Sequence, residues 1–225
     1  MEIKLLSKLS RDYVEQLLSG IPFFKLVKQQ DPWQFELLLQ SSRIITYSPG
    51  EIVLQRGDSD QWLFFLLKGR LAVYVNDPLK GELVNYVTPG EVFGDLAQLM
   101  GQPRTATVLA EPSYRESIVL ATDASIFGDI NSTRPITVQT KLAYYRNTVH
   151  NLRWKLEVYR SQHLQHPLAN KHRLVKLYTG AKDTHEELRA LYEQAQALAS
   201  LLLQWNREFG ALTDESTPPE DIFEL

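Results

Sequence analysis

The chain of 225 residues contains no cysteine. Disulfides, thiolate nucleophiles and thiolate–metal sites are thereby excluded, and the composition fits a reducing compartment. A large excess of either charge is also missing. The net charge is −3, which gives no global attraction to nucleic acid or to an anionic membrane. No window approaches about 18 uninterrupted apolar residues, so no membrane-spanning helix is expected. The stretch Met1-Glu2-Ile3-Lys4-Leu5-Leu6 carries charges in its first turn and has no long apolar core, unlike a signal peptide. The expected location is the cytoplasm. No P-loop, nucleophile elbow or metal-ligand constellation appears, and Glu51 and Asp58 stand near turns as surface carboxylates, so no enzymatic activity is expected. His163 and His166 have a spacing found in metal sites, but no carboxylate lies close by in sequence and Pro167 breaks the local helix. No metal is expected.

What is present is an ordinary globular composition, 44% hydrophobic and 23% charged, enough for one sizeable domain plus an extension. Apolar residues from Leu5 to Leu18 predict an amphipathic helix with a break or cap at Ser10-Arg11-Asp12. Asp31 as N-cap and Pro32 at the first helical position predict a second helix through Leu39. From Arg43 the pattern changes. Runs at Ile44–Tyr47, Ile52–Gln55, Trp62–Leu67, Leu71–Val75, Leu83–Val87, Thr105–Ala110 and Ser117–Ala121 alternate with turn residues, including Gly50, Gly57, Gly69, Asn76-Asp77-Pro78 and Gly90. Strands of about 5 residues at roughly 10-residue spacing predict a small β-barrel or jelly roll.

Within this region Phe93-Gly94-Asp95-Leu96-Ala97 and Pro103-Arg104-Thr105-Ala106-Thr107-Val108 have the chemistry of an anion pocket. Gly94 lets a ligand approach the backbone and opens a short helical run whose first N–H groups favour a phosphate. Arg104 offers a fork suited to two phosphate oxygens, and no other anion is placed by the sequence to pair with it. A carboxylate near that fork, Asp95, can accept a bond from a sugar hydroxyl. The stretch resembles the phosphate-binding cassette of cyclic-nucleotide-binding domains, the family of the catabolite activator protein and the regulatory subunits of cyclic-AMP-dependent protein kinase. The resemblance runs from about Leu18 to Arg160 and includes Pro49-Gly50-Glu51, Gly57-Asp58, Lys68-Gly69-Arg70 and Pro89-Gly90-Glu91. It implies ligand contacts at Phe93, Gly94, Asp95, Leu96, Ala97, Arg104 and Thr105, and a cyclic nucleotide as ligand: cyclic AMP first, cyclic GMP or cyclic di-GMP as alternatives. One position departs from the family pattern, because Asp95 stands where the family has glutamate.

Beyond the strands a short helix is expected over Asp123–Ile130, then a long one from Pro135 to about Gln162. Val138, Leu142, Tyr145, Val149, Leu152, Leu156 and Tyr159 step by 4 and 3 as a heptad seam. In the family the equivalent helix covers the nucleotide and often pairs with its copy, so a homodimer through this helix is expected. Asn151, Arg153 and Trp154 are the candidates for covering the base. A further helix from an Asp183 cap to about Phe209 carries a second seam, Leu188, Leu191, Ala195, Leu198, Leu202 and Trp205. Its acidity after a basic stretch predicts an antiparallel hairpin, with a protein partner as its reader. The expected fold is α+β, a cyclic-nucleotide-binding jelly roll flanked by helices and followed by an all-α C-terminal hairpin. Its divisions are residues 1–135, 136–162 and 163–212, with 213–225 as a disordered acidic tail.

Three functions follow from this organisation. The first is a cyclic-nucleotide sensor that signals through the long helix. The second is a ligand-free or cyclic-dinucleotide-retuned scaffold. The third is an atypical DNA-binding regulator, which would require two short helices joined by a tight turn where the sequence places one long acidic helix.

Overall fold

The computed structural model describes residues 1–75 and 83–215, with side chains through Phe209. The Asn76-Asp77-Pro78 turn and the 216–225 part of the expected tail lie outside the described residues. The expected helix from Leu5 to Leu18 is interrupted at Ser10, the site of the expected break or cap. Residues Glu2–Leu5 form strand β1, a 3-10 turn covers Leu6–Lys8, and α1 is confined to Arg11–Leu18. Helix periodicity at Leu5 and Leu6 yields here to pairing with β2 (Ser42–Tyr47), register Ile3↔Ile45, which satisfies the outer edge of that strand. A helix not read from the sequence, α2 (Pro22–Gln30), begins with Pro22 at its first position, where a missing N–H costs nothing. α3 (Pro32–Gln40) follows, and the Asp31 side chain accepts from Trp33 and Gln34 N–H at 3.1 Å each.

The remaining strands are β3 (Ile52–Leu54), β4 (Trp62–Lys68), β5 (Leu71–Tyr74), β6 (Leu83–Val87), β7 (Val92–Phe93), β8 (Thr107–Ala110) and β9 (Ser117–Asp123). They build two antiparallel sheets in the orders β1-β2-β9-β4-β7 and β3-β8-β5-β6, the two-sheet arrangement of a jelly roll. Inward residues Ile45, Leu66, Leu71, Val87, Val108 and Val119 fill the space between them. The outer face of the larger sheet is covered by α1, α2 and α3. There Phe24 meets Phe65 at 5.1 Å and Phe23 meets Tyr144 at 5.9 Å.

After β9 the expected Asp123–Ile130 helix shrinks to a 3-10 turn, Ala124–Phe127. The long helix α5 spans Val138–Gln162. Its cap is Thr137, whose hydroxyl accepts from Thr140 N–H at 3.3 Å, so Pro135 lies outside it. The last helix, α6, spans His185–Glu215, beyond the expected end at Phe209 and into the first residues of the expected tail. Thr184 rather than Asp183 caps it, accepting from Glu187 N–H at 3.1 Å, while Asp183 has a positive φ of 61°.

The two long helices run parallel. Arg146 near the start of α5 pairs with Glu187 near the start of α6 at 2.6 Å. Tyr145 meets Tyr192 at 5.5 Å, and Tyr159 meets Trp205 at 5.9 Å and Phe209 at 5.2 Å. The expected antiparallel arrangement is thus overturned. The 25 residues of α5 cover about 37 Å, and residues 163–184 are long enough to run back that distance. The α5 seam packs against the α6 seam of the same chain, Leu142, Val149, Leu152 and Leu156 with Leu188, Leu191, Ala195, Leu198 and Leu202. A surface that argued for a homodimer is therefore buried inside the protomer.

The returning segment is held by α5. Arg153 donates to His172 O and Val175 O, both at 3.1 Å, and Arg160 Nε donates to Asn170 Oδ1 at 2.9 Å. Glu157 takes contacts of 2.8 Å from both Arg173 and His172, and these partners hold its carboxyl down at about 2.

Two expectations follow. Trp205 is 1% exposed, so Trp205→Ala should cost about 3–5 kcal/mol in urea unfolding followed by far-UV circular dichroism. A cost below about 1 kcal/mol would contradict the packing of α6 on α5. The folded carboxyl of Glu157 sits below its unfolded value, so its contribution is present above pH 4.5 and lost as pH falls toward about 2. Amide exchange across residues 163–184 should accelerate over that window, and Glu157→Gln should remove most of the pH dependence.

Candidate nucleotide pocket

The cassette is organised around Arg104, which is only 3% exposed. Its Nε donates to Asp60 Oδ2 at 3.1 Å, Nη1 to Gly94 O at 2.6 Å, and Nη2 to Trp62 O at 2.6 Å and to Asp60 Oδ1. Backbone bonds reinforce the junction: Arg104 N–H donates to Asp58 O and Gly57 N–H to Arg104 O, both at 2.8 Å. The sequence placed no partner for a buried Arg104, and the structure supplies Asp60. Burial raises the carboxyl of Asp60, but the bonds from Arg104 and Trp62 N–H outweigh it and hold it below the usual carboxylate range.

Gly94 is required twice at this point. Its φ of +80° lies in the left-handed region, and a Cβ there would stand 2.8 Å from Arg104 Nη1 and 3.2 Å from Phe64 Cδ2. It caps α4 (Asp95–Met100), which ends at another left-handed glycine, Gly101. Asp95 opens α4 at 1% exposure. Its Oδ1 lies 3.8 Å from Lys155 Nζ, and its Oδ2 has no hydrogen-bond partner among the described residues. Lys155 in turn donates to Val92 O at 2.9 Å, fastening α5 to the cassette.

These groups face a cavity of about 80 Å³. All seven cassette residues singled out by the sequence, Phe93, Gly94, Asp95, Leu96, Ala97, Arg104 and Thr105, line it. The three expected base-covering residues do not. Trp154 points outward at 58% exposure, Arg153 is committed to the returning segment, and Asn151 is buried without lining the cavity. The roof comes instead from Lys155 and Tyr159 on α5 and from Leu202 and Asn206 on α6. Each pair is spaced i, i+4 and so shares a helix face. The phase follows from the buried stripe Leu152, Leu156 and Tyr159, which turns Trp154 to solvent. Burial pushes the Tyr159 phenol above its usual range, keeping it neutral. The Oδ1 of Asn206 is buried and also lacks a partner among the described residues. No group of three or more potential metal ligands occurs among the described residues.

Residues 44–132 match the sequence model of the cyclic nucleotide-binding domain family. This stretch is a cyclic nucleotide-binding domain. A cGMP-dependent protein kinase of Plasmodium berghei (strain Anka) is 32% identical to it over 35% of this chain and 9% of its own length. A cAMP-dependent protein kinase type II regulatory subunit of Drosophila melanogaster is 26% identical over 44% of this chain and 26% of its own. The chain spans about a tenth of the length of the cGMP-dependent kinases that it matches. Among solved structures, PKAR CBD2 bound to Sp-2Cl-cAMPS overlaps with a TM-score of 0.46 at 25% identity, covering 65% of this chain and 89% of that one. The architecture of the domain rests on its strand order and not on that overlap. Among the described residues no helix is long and apolar enough to cross a membrane.

Gly94→Ala should lower stability by about 1–2 kcal/mol from backbone conformation alone, and more if Arg104 is displaced. Thermal melting of the variant checks this. An unchanged melting temperature would show that the Arg104 junction does not depend on the close approach.

Proposed function

We propose that the chain is a cyclic-nucleotide-responsive regulatory protein without catalytic activity. A cyclic nucleotide, cyclic AMP first and cyclic GMP or cyclic di-GMP as alternatives, lies on the wall made by Phe93–Ala97, Arg104 and Thr105, its ribose toward Asp95. Its arrival is passed through α5 to α6, whose altered position is read by a protein partner. The observation that carries this reading is the convergence of the whole cassette and both C-terminal helices on one cavity. The cavity of about 80 Å³ is far below the roughly 300–1,000 Å³ of small-molecule sites. A nucleotide and the present roof of Tyr159, Leu202 and Asn206 therefore exclude one another, and binding shifts the population toward an open arrangement.

The same small volume favours a second reading, a ligand-free scaffold, as does the use of Arg104's donors by Asp60, Gly94 and Trp62. One continuous helix of 31 residues occupies the place of the two short ones that a DNA-binding regulator would require.

Calorimetric titration and thermal shift with cyclic AMP, cyclic GMP and cyclic di-GMP separate the two. A bound ligand should raise the melting temperature in a concentration-dependent way. Asp95→Glu should tighten a cyclic mononucleotide by about 1–3 kcal/mol, or roughly 5- to 150-fold, by restoring reach to the ribose. Silence with all three ligands transfers the conclusion to the scaffold. A weaker Asp95→Glu complex would mean a pocket shaped for another ligand.

A further inference from the structure

Strand β1 is the outermost strand of the larger sheet and, among the described residues, pairs with β2 alone. All four of its residues are exposed, Ile3 at 46% and Leu5 at 53%. The other edge of the same sheet differs: β7 has two residues, both buried. An open edge carries a row of backbone N–H and C=O groups that can template a further strand. A lysine on such an edge commonly guards against pairing, and Lys4 stands on this one. Its charge has a counterpart on the same strand. Lys4 Nζ lies 3.1 Å from Glu2 Oε2, two residues away on one face.

The alternation along β1 restricts what fits this edge. Glu2 and Lys4 share the face of Thr46 and Ile44, whereas Ile3 and Leu5 share that of Ile45 and Arg43. In antiparallel pairing, directly opposed residues project from the same face. A two-fold axis at Ile3 sets Ile3 against the second copy's Ile3, Glu2 against its Lys4, and Lys4 against its Glu2. An axis at Glu2 or at Lys4 places like charges opposite one another. An axis between residues sets Ile3 against Glu2 or Lys4 and mixes the two faces. We propose that β1 is a homodimer contact, in which two copies of the chain pair their β1 strands antiparallel about an axis at Ile3 and join their five-stranded sheets into one. The contact is isologous, with one self-complementary patch used twice. It involves a strand of four residues, so the dimer is weak and forms with rising concentration. β1 and β7 lie at opposite edges of the sheet, and β7 is the strand that leads into the cassette. The contact therefore does not depend on the nucleotide reading.

The test is sedimentation velocity of the full chain over roughly 10 μM to 1 mM, where wild type should pass from monomer toward dimer. Glu2→Lys and Lys4→Glu each set like charges across the contact twice, and each should weaken the dimer about tenfold. An equimolar mixture of these two single variants brings opposite charges together at both crossings. It should associate more tightly than either variant alone, whereas effects confined to one chain are the same in the mixture. Circular dichroism melting confirms that the variants fold. Amide exchange in wild type needs no variant and should slow over residues 2–5 as the dimer forms. A wild type that remains monomeric throughout overturns the proposal. So does a dimer indifferent to both reversals, a mixture no tighter than its components, or a dimer that leaves exchange in β1 unchanged.

Discussion

Placing a guanidinium almost out of contact with water is costly unless its charge and its donors are met, and Arg104 sets that demand for the whole cassette. The demand is met from three directions: a carboxylate from the 58–62 loop, the carbonyl that precedes α4, and the carbonyl at the start of β4. Each provider is constrained in return. Asp60 is held ionised by the bonds from Arg104 and Trp62 N–H. Gly94 must be left-handed and bare. Trp62 begins its strand with the carbonyl turned to the arginine. The direction in which α4 leaves, and hence the placement of Asp95, follows from that junction.

The roof has a different origin. α5 belongs to two cores at once. Tyr144 joins Phe127 at 4.5 Å and Phe23 at 5.9 Å on the side of the N-terminal helices, while Leu142, Leu152 and Leu156 face α6. A helix fixed on one side by aromatic packing against the sheet presents its other side in a constant orientation. Lys155 and Tyr159 are thereby held over the cassette, and α6 completes the cover with Leu202 and Asn206. The domain supplies the floor of the cavity and the C-terminal extension supplies its ceiling.

Much of this was legible in the residues. The strands between Ser42 and Asp123 could be read because glycine and proline punctuate them, and the cassette because Phe93-Gly94-Asp95-Leu96-Ala97 and Pro103-Arg104 resemble a known family pattern. Other features were not. Strand β1, Glu2–Leu5, does alternate polar and apolar residues, but four residues do not outweigh the helix-like apolar spacing that continues through Leu6 and Leu9, and only the open edge of β2 decides. A heptad seam records a face and not a direction, so the sequences of α5 and α6 could not tell parallel from antiparallel, nor a partner within the chain from one outside it. Asp60 looked like any loop carboxylate, since its role exists only once the loop is folded over Arg104. Trp154 drew notice as a large aromatic, whereas Lys155, beside it in sequence, points into the cavity because of the phase set by Leu152 and Leu156.

The parallel course of α5 and α6 has a consequence for any molecule that seeks the cavity. A tight hairpin would fix the second helix by its turn. Here α6 is joined through the long stretch 163–184, which is itself pinned to α5 through Arg153, Glu157 and Arg160, so the placement of α6 over the mouth of the domain depends on those contacts. If the proposed nucleotide enters only the open arrangement, its apparent affinity is scaled down by the fraction of molecules in that arrangement. On the proposed reading, changes in the returning segment, far from the cavity and without any contact to it, would shift the concentration of ligand needed for binding.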